Sequence, residues 1–118
     1  MNPDLAAGQL EGGLCRGIAQ ALLEDTDYRR DNGELTCGGT FVDYKLYTAA
    51  DMPSAKDVHC FFAETYEPSG TFGAKAIGEE VNNAVPAAGI HALENAPRIR
   101  LQPLTPTPGP VLAARHGS

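Results

Sequence analysis

Four glycines, at positions 8, 12, 13 and 17, fall inside a stretch that otherwise reads as a helix, and nothing else restricts this fold so sharply. Asn2-Pro3-Asp4 opens the helix: Asn suits the cap, Pro the first helical position, and Asp the positive end of the dipole. At about 100° per residue, Ala7, Leu10, Leu14, Ile18, Ala21 and Leu22 form one stripe. Gln9, Gly12, Gly13, Arg16 and Gln20 gather opposite. Each glycine costs roughly 0.8–1 kcal/mol relative to alanine, so four cost on the order of 3–4 kcal/mol. A helix carrying that handicap needs something close against its backbone: a neighbouring element, another subunit or a ligand. The pattern ends near Glu24-Asp25.

A hairpin follows. Residues 26–30 and 35–44 flank Asp31-Asn32-Gly33-Glu34, and Asn-Gly suits a type I′ turn because both central residues there take positive φ. Gly38-Gly39 inside the second strand predicts a bulge or a close backbone approach. Residues 48–54 read as a loop ending in Met52-Pro53. A third strand is expected over 57–65, with Val58, Cys60 and Phe62 alternating against Asp57, His59 and Phe61. Both faces carry a Phe, so the strand should be covered along most of its length. Residues 67–73 are loop by composition, and Pro86 suits the first turn of a helix reaching about Asn95. Residues 98–101 read as a short strand. The stretch 103–110 holds four prolines in eight residues and should be extended. Residues 107–118 form a Pro-rich tail with a frayed end.

The chain has 118 residues, 42% of them apolar, enough for one domain or part of one with a modest core. Nine basic and 15 acidic residues give a net charge of −6, which argues against nucleic acid as a partner. No apolar run approaches the ~20 residues of a membrane span, so the chain reads as soluble. Cys15, Cys37 and Cys60 form no C-x-x-C pair, so no thiolate metal site is expected, and reduced thiols in the cytoplasm are the simplest reading. His59 and His91 have no partner at ligand spacing and read as structural, as do Asp43 and Tyr44.

The run Lys75-Ala76-Ile77-Gly78-Glu79 sits between a Pro/Gly/Ser loop and an alanine-rich stretch. On physical grounds alone Glu79 is an acidic residue in a first helical turn, favoured there by ~0.3–1 kcal/mol. A carboxylate fixed after a glycine turn can also serve as a general base once its surroundings bring its proton affinity near the working pH.

Taken together, these motifs resemble the end of the molybdopterin-binding subunit of the xanthine dehydrogenase and aldehyde oxidoreductase family. Asn2-Pro3, Gly8-Gln9, Gly12-Gly13, Gly17 and Ala21-Leu22-Leu23-Glu24 are similar to the family's glycine-rich helix. Phe41-Val42-Asp43-Tyr44 resembles its F-x-D-Y strand, and Met52-Pro53 a proline that follows an acidic loop. Gly73-Ala74-Lys75-Ala76-Ile77-Gly78-Glu79 resembles its G-x-K-x-x-G-E signature, and Pro86-Ala87-Ala88 the following helix. Pro103-Leu104-Thr105-Pro106 is like the family's closing P-L-T-P. The likeness runs through residues 2–106 in order, so residues 1–106 are expected to be a partial molybdopterin-binding domain.

The resemblance implies an α+β domain, two helices on a small, mainly antiparallel sheet. It implies a molybdenum–molybdopterin cofactor, with hydroxylation of an aldehyde or N-heterocycle as the reaction. Glu79 would be the base toward a molybdenum-bound hydroxyl. Gln9, whose amide donates and accepts without adding charge, would contact the cofactor. Gly12 and Gly13 would lie on the cofactor side, and Lys75 and Gly78 would frame the loop. Arg16 departs from the family's usual Gln before Gly17, and Glu80 sets a second carboxylate beside the base. The family's other pterin-binding segments are absent from this sequence, so activity would require partner segments or subunits. A cut domain also exposes apolar surface, which favours a homo-oligomer. The alternative is a cofactor-free relic or interaction module that keeps only the fold.

Overall fold

The structure, a computed structural model, describes residues 2–96, 98, 100, 101, 106 and 111–114. Helix α1 spans Pro3–Leu22. The Asn2 side chain caps it, accepting from the N–H groups of Asp4 at 3.0 Å and Leu5 at 3.2 Å. The chain leaves the helix at Leu23, slightly ahead of the sequence expectation.

Strands β1 (Asp27–Tyr28) and β2 (Leu35–Cys37) pair antiparallel, with Asp27 opposite Cys37 and Tyr28 opposite Leu35. The hairpin forms, but its strands are shorter than expected. Gly33 takes φ +72° while Asn32 does not go positive, so the turn is not type I′. It closes instead through Arg29 N–H to Glu34 O and Gly33 N–H to Arg29 O. The irregularity falls between Asp27 and Tyr28 rather than at Gly38-Gly39. Gly38 supplies the close approach: at φ +87°, a Cβ there would lie 2.6 Å from the Asp25 carbonyl. Beyond Cys37 the strand does not continue. Residues 40–44 curl into a turn, with Tyr44 N–H donating to Thr40 O.

The expected strand over 57–65 is not formed. After a 3-10 turn at Ala55–Asp57 the chain runs on without a ladder partner among the described residues, and its aromatic residues are uncovered. Nor is there a strand over 98–101 among the described residues: Arg98 turns with φ +56°. The stretch 103–110 lies outside the described residues except for Pro106.

Helices α2 (Glu80–Asn83) and α3 (Val85–Asn95) are separated by a break at Ala84. Pro86 explains the break, since it offers no N–H to continue α2. Both helices pack on α1, whereas the β1–β2 ribbon packs on neither helix. The class is α+β as expected, but the helices cover each other rather than the sheet.

That helix contact accounts for two of the four glycines. A Cβ on Gly13 would come within 2.6 Å of Val81, and one on Gly17 would collide with the Val85 side chain. One turn further on, a Cβ on Gly89 would lie in ordinary contact with the Ala21 methyl, at 3.6 Å. Positions 13, 17 and 21 thus interlock with 81, 85 and 89, one four-residue row against another. Ala19 and Ala21 are the most deeply buried apolar residues, and no large side chain is fully buried among the described residues.

Candidate active site

A methyl added at Gly8 or Gly12 would meet nothing within 4 Å, so the bareness of these two glycines serves no helix contact. Gly12 opens onto a cleft of about 600 Å3 between α1 and the turn preceding α2. The α1 wall consists of Gln9, Gly12, Gly13, Arg16 and Gln20, the same five residues that the helical count sets opposite the apolar stripe. Across from them stand Gly78 and Glu79. Of the six residues singled out for the site, five share this cleft.

The sixth, Lys75, does not. It lines a second groove on the other flank of α1, together with Leu10, Phe62 and Ile77. The reason is local: residues 74–77 run outside any helix along that groove, and the chain reaches the Glu79 side only at the bend of Gly78.

The turn is built from upstream. Glu67 N–H donates to Gly73 O, and the Glu67 carboxylate accepts from the Ser69 N–H and hydroxyl at 3.2 and 2.7 Å. Those bonds hold the Glu67 carboxyl below its ordinary value, the Ser69 hydroxyl first among them. Phe72 and Gly73 then both take positive φ, which reverses the chain; Gly73 also leaves room for the Tyr66 ring. Gly78 itself has an ordinary backbone, and its N–H donates to Glu80 Oε1 at 2.8 Å. Glu79 then occupies the N-cap of α2 with helical angles, and its side chain is exposed to the cleft.

Tyr47, Asn82 and Asn83 complete the cleft, and none of them was singled out from sequence. For the two asparagines a signal existed: they follow Glu79 by three and four residues, which places all three on one helical face. Tyr47 arrives from a loop and carried no such signal. The outcome is a cleft with one cation, one carboxylate, four amides and an exposed glycine backbone. Amides can match the donors and acceptors of a flat heterocycle, and Gly12 lets a bulky group reach the helix backbone. These residues suit one wall of a pterin site.

Next to the cleft, the Tyr44 hydroxyl donates to Glu24 Oε2 at 2.5 Å, tying the 40–44 turn to the end of α1. That bond to a carboxylate raises the Tyr44 phenol above its ordinary value.

Comparison with known proteins identifies the family. Residues 1–53 match the molybdopterin cofactor-binding domain. A xanthine dehydrogenase molybdenum-binding subunit from Escherichia coli O157:H7 is 33% identical over 108 residues, 92% of this chain and 14% of that protein. So wide a match takes in both the glycine helix and the turn carrying Glu79. The chain belongs to the molybdenum-binding subunit family of xanthine dehydrogenases and aldehyde oxidoreductases.

Other members of the family are similar over comparable spans. The aldehyde oxidoreductase of Megalodesulfovibrio gigas is 33% identical over 91% of the chain, which spans 11% of that protein. The 6-hydroxypseudooxynicotine dehydrogenase complex subunit gamma of Paenarthrobacter nicotinovorans is 37% identical over 81% of the chain, 12% of that protein. The chain therefore corresponds to a small part of each of these relatives. Among the described residues, no helix is long and apolar enough to cross a membrane.

Proposed function

We propose that this chain supplies one wall of a molybdenum hydroxylase active site, an oxidoreductase centre for aldehydes or N-heterocycles, with Glu79 as the general base. One observation carries this reading: Glu79 shares a cleft with Gln9 and Gly12, although α1 and the Glu79 turn lie far apart in sequence. When bound, the molybdenum–molybdopterin group would supply the redox chemistry; the chain's own residues hold, orient and deprotonate. Gln9 presents an amide that both donates and accepts. Gly12 and Gly13 keep the helix wall low, Gly78 leaves the opposing wall open, and Lys75 frames the turn from its far side. The Glu79 carboxylate takes a proton from the attacking group, a role for which geometry counts before proton affinity.

One wall does not make a pocket. The remaining segments of a molybdenum-binding subunit are the partners this reading requires, and residues 1–106 are the portion that joins them, with 107–118 as a tail. Three free cysteines suit the reducing cytoplasm, where we place the chain. Without those segments the chain associates with itself.

The test is Glu79→Gln in the reconstituted assembly. Turnover should fall by about 10²–10⁴-fold, the usual worth of a general base, while molybdenum content stays unchanged. Undiminished turnover would refute the assignment.

A second reading, a cofactor-free interaction module, has its own support in the absence of any fully buried large side chain among the described residues. Native protein that is well folded yet free of molybdenum and pterin fluorescence would decide for it.

A further inference from the structure

Arg16 is the one cation that reaches the cleft of Glu79 among the described residues. The two side chains line the same space without an ion pair between them. Arg16 also borders the adjoining groove of Glu24 and Tyr44. There Glu24 accepts the Tyr44 hydroxyl at 2.5 Å, and no described carboxylate forms an ion pair with the Arg16 guanidinium. A guanidinium keeps its charge at any working pH and offers a planar fork of donors that fits an oxyanion.

The interlocking rows fix where Arg16 stands relative to Glu79. Gly13 faces Val81 and Gly17 faces Val85, so α1 and the stretch through α2 and α3 advance in the same direction. Glu79, two residues before Val81, is then level with residue 11 of α1. Gln9 lies behind that level. Arg16 lies ahead of it by five residues, about 7–8 Å along the axis. That is roughly the length of an aromatic ring with a substituent at each end. Asn82 and Asn83 line the opposing wall between the two levels. The carboxylate of Glu79 therefore stands between an amide end and a cationic end. Both belong to one cavity with Glu79, whichever segments of the subunit close it.

We propose that Arg16 is a specificity-determining residue of this site, selecting aldehydes or N-heterocycles that carry a carboxylate at the end remote from the reacting carbon. A carboxylate base in a chain of net charge −6 repels such substrates unless a cation meets them. Arg16 supplies that cation a ring's length from the base. It has this role only in the active site proposed above, and the experiment keeps the two readings apart.

The experiment compares para-formylbenzoate with benzaldehyde in the reconstituted assembly, reading kcat/KM for each together with molybdenum content. The unaltered assembly should prefer the aldehyde that bears the carboxylate. Arg16→Gln, which keeps the helix propensity, should lower the ratio of the two kcat/KM values by about 10- to 100-fold, the usual worth of a hydrogen bond to a charged group. Most of that loss should appear in KM, because the bound group is remote from the reacting carbon. Arg16→Lys, which keeps the charge without the fork, should lose less. Benzoate binding to the Glu79→Gln assembly gives a readout without turnover, and adding Arg16→Gln should weaken it by a similar factor.

A ratio that both Arg16 variants leave unchanged would overturn the proposal, as would equal benzoate binding with and without the guanidinium. Loss of molybdenum from Arg16→Gln would overturn it too and assign the guanidinium to an anionic group of the cofactor instead. Failure of the Glu79 assignment looks different: Glu79→Gln would then keep its turnover, while the ratio still reported on Arg16.

Discussion

Glu79 and Glu80 are neighbours in sequence, yet their carboxylates serve opposite flanks of α1. Glu79 lines the cleft with Gln9, whereas Glu80 lines the apolar groove and accepts the Gly78 N–H at 2.8 Å. The second carboxylate is therefore turned away from the candidate base. It stabilises the turn that presents that base.

The two residues should accordingly separate in a stability measurement. Glu80→Ala leaves the Gly78 N–H without its acceptor and should cost about 0.5–1.5 kcal/mol. Glu79→Ala should stay within about 0.5 kcal/mol of wild type. Urea unfolding midpoints with unchanged slopes would check both, and equal losses would contradict the division of labour.

The glycines of α1 should separate in the same way. Gly12→Ala adds a methyl with nothing within 4 Å and should stabilise by roughly 0.8–1 kcal/mol. Gly17→Ala drives its methyl into Val85 and should destabilise by about 1–3 kcal/mol. Thermal and urea unfolding of the two variants would show opposite signs. In an assembly containing cofactor, Gly12→Ala should also weaken cofactor retention despite the stabler fold.

The Tyr44–Glu24 bond predicts an alkaline limb. Tyr44 titrates higher in the folded chain than in the unfolded one. Its contribution is therefore complete below the unfolded tyrosine value and lost as pH rises through the folded one. Tyr44→Phe should cost about 1 kcal/mol at neutral pH. It should also remove that part of the high-pH decline, which a pH series of unfolding curves would reveal.

Local signals were legible in the sequence where neighbours along the chain decide the outcome. The Asn2 cap, the run of α1, the hairpin and the Pro86 start of α3 all depend on such neighbours. The cleft wall was legible too, because helical periodicity alone gathers Gln9, Gly12, Gly13, Arg16 and Gln20. What failed was long-range. Residues 35–44 and 57–65 have the composition of strands, but a strand exists only against a partner, and the 57–65 stretch has none among the described residues. The resemblance sets Lys75 with Glu79 in one signature that frames the loop, and the bend at Gly78 sends the two side chains to different flanks of α1.

Val81 docks on Gly13 only two residues after Glu79. The interlocking rows of small and β-branched residues therefore act as a ruler for the acid's direction. Inserting one residue between Glu79 and Val81 would swing the carboxylate about 100° around the helix axis while the rows stayed locked. Surface bends usually absorb added length with ease; this one cannot, and length variation in the stretch should be far less tolerated than substitution.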